Sequence, residues 1–255
     1  MEPQNTQQQT SLTVPLAIVV GFAMIAIAIF FTGGSSNSDT PAEITQGANP
    51  STAQTIRSVS EDDYILGNPN APIVMIEYSD YDCPFCKQFH ATMHQILDEY
   101  GVTGRLAWVY RQFPLIDLHP NAPAIAEAAL CVGDLGGNTA FWTFSDTVFE
   151  SREEVEFTNI TKLPEFAAAA GVERMAFMDC VTSDRMLDDL KADMADGLAA
   201  GAQGTPYTVI QVGNQQAVVN GAQPYDVVKG IVENLFAQLD GNFDPEAQAG
   251  EESAI

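Results

Sequence analysis

The sequence predicts an α/β fold from the order of strand-like and helical patterns along residues 61–239. A short apolar run at 73–78 follows Asn-Pro-Asn-Ala-Pro, which is typical of a buried strand. Residues 84–100 then carry apolar side chains at helical spacing, and residues 105–113 predict a second strand. Strand patterns return after Gly204. The predicted order is therefore β-α-β, a helical segment, and then β-β-α.

The segment between the second and third predicted strands, at about residues 118–200, is rich in Ala, Leu, Phe, Met, Asp and Glu. Most of these residues favour helices, whereas glycine and proline interrupt them. We therefore expect several helices, separated at Gly133, Gly136-Gly137, Pro164 and Gly171.

The last part of the domain combines a hairpin with a helix. Tyr207–Val212 and Ala217–Asn220 read as strands joined by a turn that contains Gly213-Asn214. An amphipathic run from about Pro224 to Leu239 predicts the final helix.

A membrane anchor is predicted at residues 14–31, an uncharged apolar run of 18 residues. This length suits a membrane-spanning helix and is long for the apolar region of a signal peptide, although a cleavage pattern can be read at Ala26-Ile27-Ala28. The polar segment 1–13 contains no Lys or Arg, so charge gives no orientation.

Two further segments lack the patterns of a folded core. Residues 32–60 are rich in small and polar residues and are expected to be a flexible linker. Residues 240–255 are acidic and are expected to be a disordered tail.

Acidic residues dominate the composition. Thirty-four Asp and Glu against ten Lys and Arg give a net charge of −24. This balance argues against nucleic acid as a partner and against a basic patch for anionic membranes. Contact with the lipid bilayer is expected only through residues 14–31.

Cys83 and Cys86 flank Pro84-Phe85 at the junction between the first predicted strand and its helix. Pro84 suits the first helical turn. A helix N-terminus offers unpaired N–H groups and a positive dipole end, which lower the pKa of a thiol there. A thiolate is the species that attacks a disulfide, so this placement favours redox chemistry.

Half of a zinc site has the same cysteine spacing, so metal binding is the alternative. Zinc would need two further ligands. The other two cysteines, Cys131 and Cys180, are far apart in sequence and form no second close pair. We therefore expect neither a metal nor another cofactor.

The stretch from Ile76 to Cys86, followed by Phe89 and His90, closely resembles the DsbA-like thiol–disulfide oxidoreductases. That resemblance implies a thioredoxin fold with an inserted helical domain and a role in putting disulfides into exported proteins. Further matches lie in separated places, namely Tyr110 to Leu115, Leu118 to Pro120, Ala128 to Cys131, Phe141-Trp142 and Gly204 to Pro206.

The resemblance also implies roles for individual residues. Glu77 matches a buried acidic residue that could transfer protons to or from the second cysteine. Pro206 matches a cis-proline beside the redox pair, which would expose the backbone of Thr205 to a bound peptide. Cys131 and Cys180 resemble a second cysteine pair, which would form a structural disulfide; two free buried thiols are the alternative.

The function expected from these observations is an extracytoplasmic oxidase, anchored in the cell membrane by a single span, that introduces disulfides into exported polypeptides. Its expected partners are reduced exported polypeptides and a membrane redox partner of the quinone-linked type. A disulfide reductase or isomerase on the same fold is one alternative. A zinc-binding or chaperone-like module is the other.

Overall fold

The computed structural model describes residues 56–152 and 157–241. The predicted anchor at 14–31, most of the predicted linker and nearly all of the acidic tail lie outside these residues. Within them, no helix combines the length and the apolar character needed to cross a bilayer.

Five strands form one mixed sheet within the described residues. Their spatial order is β1-β3-β2-β4-β5; β2 runs parallel to β3, whereas β1 is antiparallel to β3, β4 to β2 and β5 to β4. The strands are β1 (Tyr64–Gly67), β2 (Ile73–Ser79), β3 (Leu106–Gln112), β4 (Tyr207–Val212) and β5 (Gln215–Asn220).

Helices cover the sheet, and four of the six described α-helices lie between β3 and β4. This order of elements is the predicted thioredoxin-like α/β fold. The helices are α1 (Pro84–Tyr100), α2 (Ala122–Glu150), α3 (Leu163–Ala169), α4 (Arg174–Thr182), α5 (Leu187–Ala199) and α6 (Tyr225–Leu239).

Alternation along β2 separates two cores. Successive strand residues point to opposite faces of a sheet. Ile73 and Met75 join the larger cluster of buried side chains, to which α1 contributes Phe89. Ile76 and Tyr78 join a smaller cluster on the opposite face. By this period of two, Glu77 and Ser79 lie on the face that α1 covers.

The prediction that Gly133 separates two helices is wrong. Gly133 lies inside α2, where a Cβ atom would come within 2.2 Å of the Tyr64 ring. Glycine is needed there because the ring packs directly on the helix backbone. The break in α2 occurs at Gly137, which has a φ of 77°. A positive φ costs glycine little conformational energy because glycine has no Cβ atom.

The strand β1 has no counterpart in the predicted order. Its four residues pair with β3, Tyr64 opposite Tyr110. The Tyr64 ring also stacks on Phe141 of α2 with 3.8 Å between ring centroids. Tertiary contacts therefore stabilise this strand, since so short a segment has little intrinsic preference for the strand conformation.

A buried ionic network connects the beginning of the described chain to the sheet. The Arg111 guanidinium on β3 donates to Asp63 at 2.8 and 3.0 Å and to Asp196 of α5 at 2.6 Å. Arg57 donates to Asp63 at 3.0 Å and to Asp193 at 2.9 Å. Arg111 thus neutralises buried carboxylates.

Candidate active site

Sheet topology brings the predicted redox pair to the chain segment that precedes β4. Because β2 and β4 are antiparallel, with Tyr78 opposite Tyr207, the last residues of β2 and the first residues of β4 lie at the same end of the sheet. Cys83 follows β2, and its thiol lies 3.5 Å from the carbonyl oxygen of Thr205. The Thr205–Pro206 peptide bond is cis.

Cys83 is the N-cap residue of α1, and Pro84 begins the helix. Cys83 forms no disulfide in this structure, and the residue is only 4% exposed. A hydrogen bond from the Cys86 thiol, reinforced by the backbone N–H groups of Phe85 and Cys86, lowers the pKa of Cys83 to about 6. Near neutral pH, Cys83 is therefore largely a thiolate.

Cys86 lies one helical turn later, and its environment is the opposite. The residue is fully buried, and burial raises the pKa of its thiol well above the ordinary value. The backbone N–H of Asp80 lies 3.4 Å from its sulfur. The two thiols therefore differ sharply in acidity: Cys83 favours the anion and Cys86 favours the protonated form.

Glu77 is fully buried in the central strand β2. Trp108 of β3 donates its indole N–H to one carboxylate oxygen of Glu77 at 2.9 Å. Burial raises the pKa of Glu77 to about 7, against the effect of this hydrogen bond. The negative charges of Glu77 and Cys86 disfavour each other, which links the carboxyl electrostatically to the redox pair.

Two carboxylates that sequence reasoning did not select hold the loop between β2 and α1. Asp80 accepts hydrogen bonds from the backbone N–H groups of Asp82 and Leu115 and from the His119 ring, each at 2.8 Å. Asp82 accepts one from the backbone N–H of Thr158, also at 2.8 Å. These hydrogen bonds connect the loop between β2 and α1 to the part of the chain that follows β3.

Arg152 is a further residue that sequence reasoning missed. Its buried guanidinium donates to the carbonyl oxygen of Tyr81 at 3.1 Å and to that of Cys83 at 2.8 Å. Both carbonyls precede the first turn of α1. Arg152 is therefore a positioning residue for Cys83, and a lone arginine so far along the chain gave no sequence signal.

Cys131 of α2 and Cys180 of α4 form a disulfide, and both are fully buried. Their Cα atoms are 5.9 Å apart, within the usual range for such a bond. The bridge joins two helices of the segment between β3 and β4.

His90 lies on α1, one helical turn after Cys86. Its ring contacts Trp108 and Phe149, and its Nε2 atom lies 2.7 Å from Asp146. Together with His94 and Asp146 it forms the group of side chains, within the described residues, that could hold a metal ion.

An apolar side chain is exposed beside the redox pair. Phe85, between the two cysteines, is 58% exposed.

Comparisons with known proteins agree with this geometry. A family model described as thioredoxin matches residues 59–234. The chain is 29% identical over 148 residues to the Na(+)/H(+) antiporter NhaA 1 of Mycolicibacterium gilvum, covering 57% of this chain and 23% of the antiporter. It is 26% identical over 160 residues to the "Putative protein-disulfide oxidoreductase" of Rickettsia bellii, covering 60% of each. The chain thus spans less than a quarter of the length of the antiporter.

Solved structures resemble the fold throughout the described domain. BdbD from Bacillus subtilis, in its oxidised form, has a TM-score of 0.59 and 21% identity, covering 68% of this chain and 91% of that one. The alpha-DsbA1 protein of Wolbachia pipientis has a TM-score of 0.61 and 23% identity, covering 71% and 94%. The predicted DsbA-like fold is therefore confirmed. Because the thioredoxin model matches more than half of its residues, the chain belongs to the thioredoxin family.

Proposed function

We propose that the chain is an extracytoplasmic thiol–disulfide oxidoreductase that introduces disulfides into exported polypeptides through Cys83 and Cys86. The contrast between these two thiols carries the proposal. Cys83 caps a helix, is the more acidic thiol and adjoins Thr205, whereas complete burial raises the pKa of Cys86 and keeps it protonated. A nucleophile with a protected partner is the arrangement that disulfide exchange requires.

The cycle begins with a disulfide between Cys83 and Cys86. A substrate thiolate attacks the sulfur of Cys83, which forms a mixed disulfide and releases Cys86 as a thiolate that takes up a proton. A second substrate thiolate then attacks the substrate sulfur of the mixed disulfide and releases Cys83 as a thiolate. Two electrons pass from the substrate dithiol to the enzyme, and the substrate gains one disulfide.

Acidity at Cys83 favours this direction. A low pKa makes Cys83 a good leaving group and stabilises the reduced enzyme. A dithiol whose reduced form is stabilised is the stronger oxidant. The low pKa of Cys83 therefore supports oxidation of substrates over their reduction.

Glu77 is proposed to supply the proton that Cys86 takes up. A group that gives and receives protons works best when its pKa lies near the ambient pH, and burial brings the pKa of Glu77 to about 7. Glu77 lies on the face of the sheet that α1 covers, and it interacts electrostatically with both cysteines.

Substrate is proposed to dock beside Thr205 and Phe85. The backbone of Thr205 precedes the cis-proline and offers main-chain groups for strand-like pairing. The exposed ring of Phe85 adds apolar contact area next to the reactive sulfur. These are features that suit an unfolded polypeptide, whose backbone and apolar side chains are accessible.

The recycling partner is proposed to be a membrane protein of the quinone-linked type, with residues 14–31 as the anchor that keeps the domain at the membrane. Protease protection of the full chain in intact cells tests this topology. Protection equal to that of a cytosolic marker would contradict an extracytoplasmic domain.

A zinc-binding module is less well supported. Cys131 and Cys180 are bonded to each other and offer no thiolate. Within residues 56–152 and 157–241, no group of three metal-ligating side chains includes Cys83 or Cys86.

The deciding experiment equilibrates the protein in glutathione buffers and measures the reduction potential of Cys83 and Cys86, together with oxidation of a reduced two-cysteine peptide. We expect a potential more positive than about −200 mV and rapid peptide oxidation. The Cys83→Ser variant is the control and should not oxidise the peptide. A potential near −270 mV, roughly that of a cytosolic reductant, would favour the reductase alternative.

A further inference from the structure

The second half of α2 meets α1 at a compact cluster of three side chains. Nε2 of His90 and Nε2 of His94 lie 3.1 Å apart. The same carboxylate oxygen of Asp146 lies 2.7 Å from His90 and 2.9 Å from His94. The two histidines are four residues apart on one helix, so they share its face.

Hydrogen bonds alone do not satisfy this triangle. A carboxylate oxygen brings no proton, and each histidine brings at most one on Nε2. If both nitrogens donate to Asp146, no acceptor remains between the two rings. If only one Nε2 atom is protonated, its single proton cannot supply a separate hydrogen bond to each of the three contacts. A cation at the centre, by contrast, is attracted to the lone pairs of all three atoms.

The spacing also suits a metal ion. Ligand atoms at about 2.0–2.1 Å from a tetrahedral Zn²⁺ ion lie roughly 3.3 Å from one another. The three atoms of the cluster are 2.7, 2.9 and 3.1 Å apart, so each pair needs to separate by about 0.6 Å or less. His94 and Asp146 are partly exposed and have room for this movement.

The surroundings fix one ligand and leave the others accessible. The buried His90 ring lies against Phe149, Trp108 and Trp142, with centroids 4.5, 5.2 and 6.4 Å away. The exposed edges of His94 and Asp146 open the cluster to solvent, from which an ion and a water ligand can enter.

We propose that His90, His94 and Asp146 bind one divalent transition-metal ion, with water completing the coordination. Two imidazole nitrogens and one carboxylate oxygen form a donor set that suits Zn²⁺ and similar ions. The bound ion would cross-link α1, which carries the redox cysteines, to α2. This site is separate from the two cysteines and does not depend on the direction of disulfide exchange.

The test titrates the full-length, oxidised protein with Zn²⁺ in competition with a chromophoric chelator. Oxidation removes the thiolates of Cys83 and Cys86 as ligands. We expect one Zn²⁺ per chain and a rise in Tm on binding. His94→Gln and Asp146→Asn should each weaken Zn²⁺ binding at least about 10-fold, the smallest loss typical of removing even an outer-shell partner.

Asp188→Asn is the matched control because it removes one exposed carboxylate, which pairs with Lys191 at 3.3 Å, from an acidic surface. Its Zn²⁺ affinity should equal that of the wild type. Co²⁺ supplies a second measurement on the unaltered protein, whose visible spectrum should show nitrogen and oxygen ligands without a thiolate charge-transfer band.

Three results would overturn the site. One is the absence of stoichiometric Zn²⁺ binding, which would leave the cluster as a contact between helices. Another is equal binding by the wild type and by both cluster variants, which would place the ion on other acidic groups. The third is a Co²⁺ spectrum without nitrogen and oxygen coordination, a result that does not depend on the folding of any variant.

Discussion

Trp108 and Glu77 share a single hydrogen bond of 2.9 Å in a fully buried setting. The indole N–H satisfies one oxygen of the Glu77 carboxyl, while the other oxygen has no hydrogen-bond partner within the described residues. A carboxylate so incompletely solvated is costly to charge, which is why its pKa rises to about 7.

Glu77→Gln should make the domain more stable at neutral and higher pH. Folding raises the pKa of the Glu77 carboxyl from 4.5 to about 7. The protein therefore loses stability as the pH rises between these values, because the unfolded chain ionises more readily than the folded one. Glutamine keeps an oxygen for Trp108 and does not ionise. We expect the free energy of unfolding of Glu77→Gln to exceed that of the wild type by an amount that grows over this pH range to on the order of 3 kcal/mol above pH 7.

Denaturant unfolding at a series of pH values measures this advantage, with Glu165→Gln on an exposed carboxyl as the control. A stability difference independent of pH would show that Glu77 does not titrate as described. The same variant should slow thiol–disulfide exchange, since it cannot move a proton.

Alkylation of reduced Cys83 should follow a titration with a midpoint near pH 6. The largest cause of this acidity is the hydrogen bond from Cys86. Cys86→Ala removes that donor and should shift the midpoint upward. Peptide mapping after iodoacetamide pulses measures the rate at each pH. An unchanged midpoint in Cys86→Ala would mean that the helix N-terminus alone sets the acidity.

The stability difference between the reduced and oxidised forms should depend on pH. A thiol whose pKa is lowered from 9.0 to about 6 contributes stability that is fully present above the higher value and is lost as the pH falls through the lower one. Cys83 titrates only when reduced. The Tm of the reduced form minus that of the oxidised form should therefore rise from pH 6 towards pH 9, as calorimetry would measure.

Glu77 is present in both redox forms, so most of its own titration cancels from this difference. A constant difference in Tm across the same range would contradict a thiolate stabilised by the fold.

Arg152→Met should destabilise the domain and disturb Cys83. Methionine keeps much of the apolar stem but removes the hydrogen bonds that Arg152 donates to the carbonyls of Tyr81 and Cys83. We expect a loss of about 2 kcal/mol in the free energy of unfolding and a shifted alkylation midpoint. Exposed Arg174, changed to Met, is the control. If the two variants had equal free energies of unfolding and equal alkylation midpoints, Arg152 would not be a positioning residue for Cys83.

Removal of the second disulfide by Cys131→Ala with Cys180→Ala should lower the free energy of unfolding by about 4 kcal/mol, because the bridge closes a loop of 49 residues. Equilibrium unfolding without reductant measures this loss. In the wild type, reduction of both disulfides should reproduce this loss relative to protein in which only Cys83 and Cys86 are reduced.

Local patterns were sufficient for β2, α1 and β3, since apolar runs marked the two strands and helical spacing marked α1. They were insufficient for β1, whose stability depends on pairing with β3 and on the stacking of Tyr64. Gly133 was misread for the same reason, because the ring that requires a glycine there comes from β1.

The candidate site was predicted to a similar extent. Sequence reasoning selected Cys83, Cys86 and Glu77 through motif and resemblance. It did not find Arg152, which acts on a loop 69 residues earlier. His90 and His94 stand at helical spacing that was visible in the sequence, but only the packing of α2 against α1 brings Asp146 to them.

The ionic network of Arg111 also has a mechanical consequence. Arg57 and Asp63 precede the five described strands and are held by Arg111 of β3 and by Asp193 of α5. A pulling force applied through the chain before Arg57 would therefore be borne by these ion pairs and passed to β3 and α5.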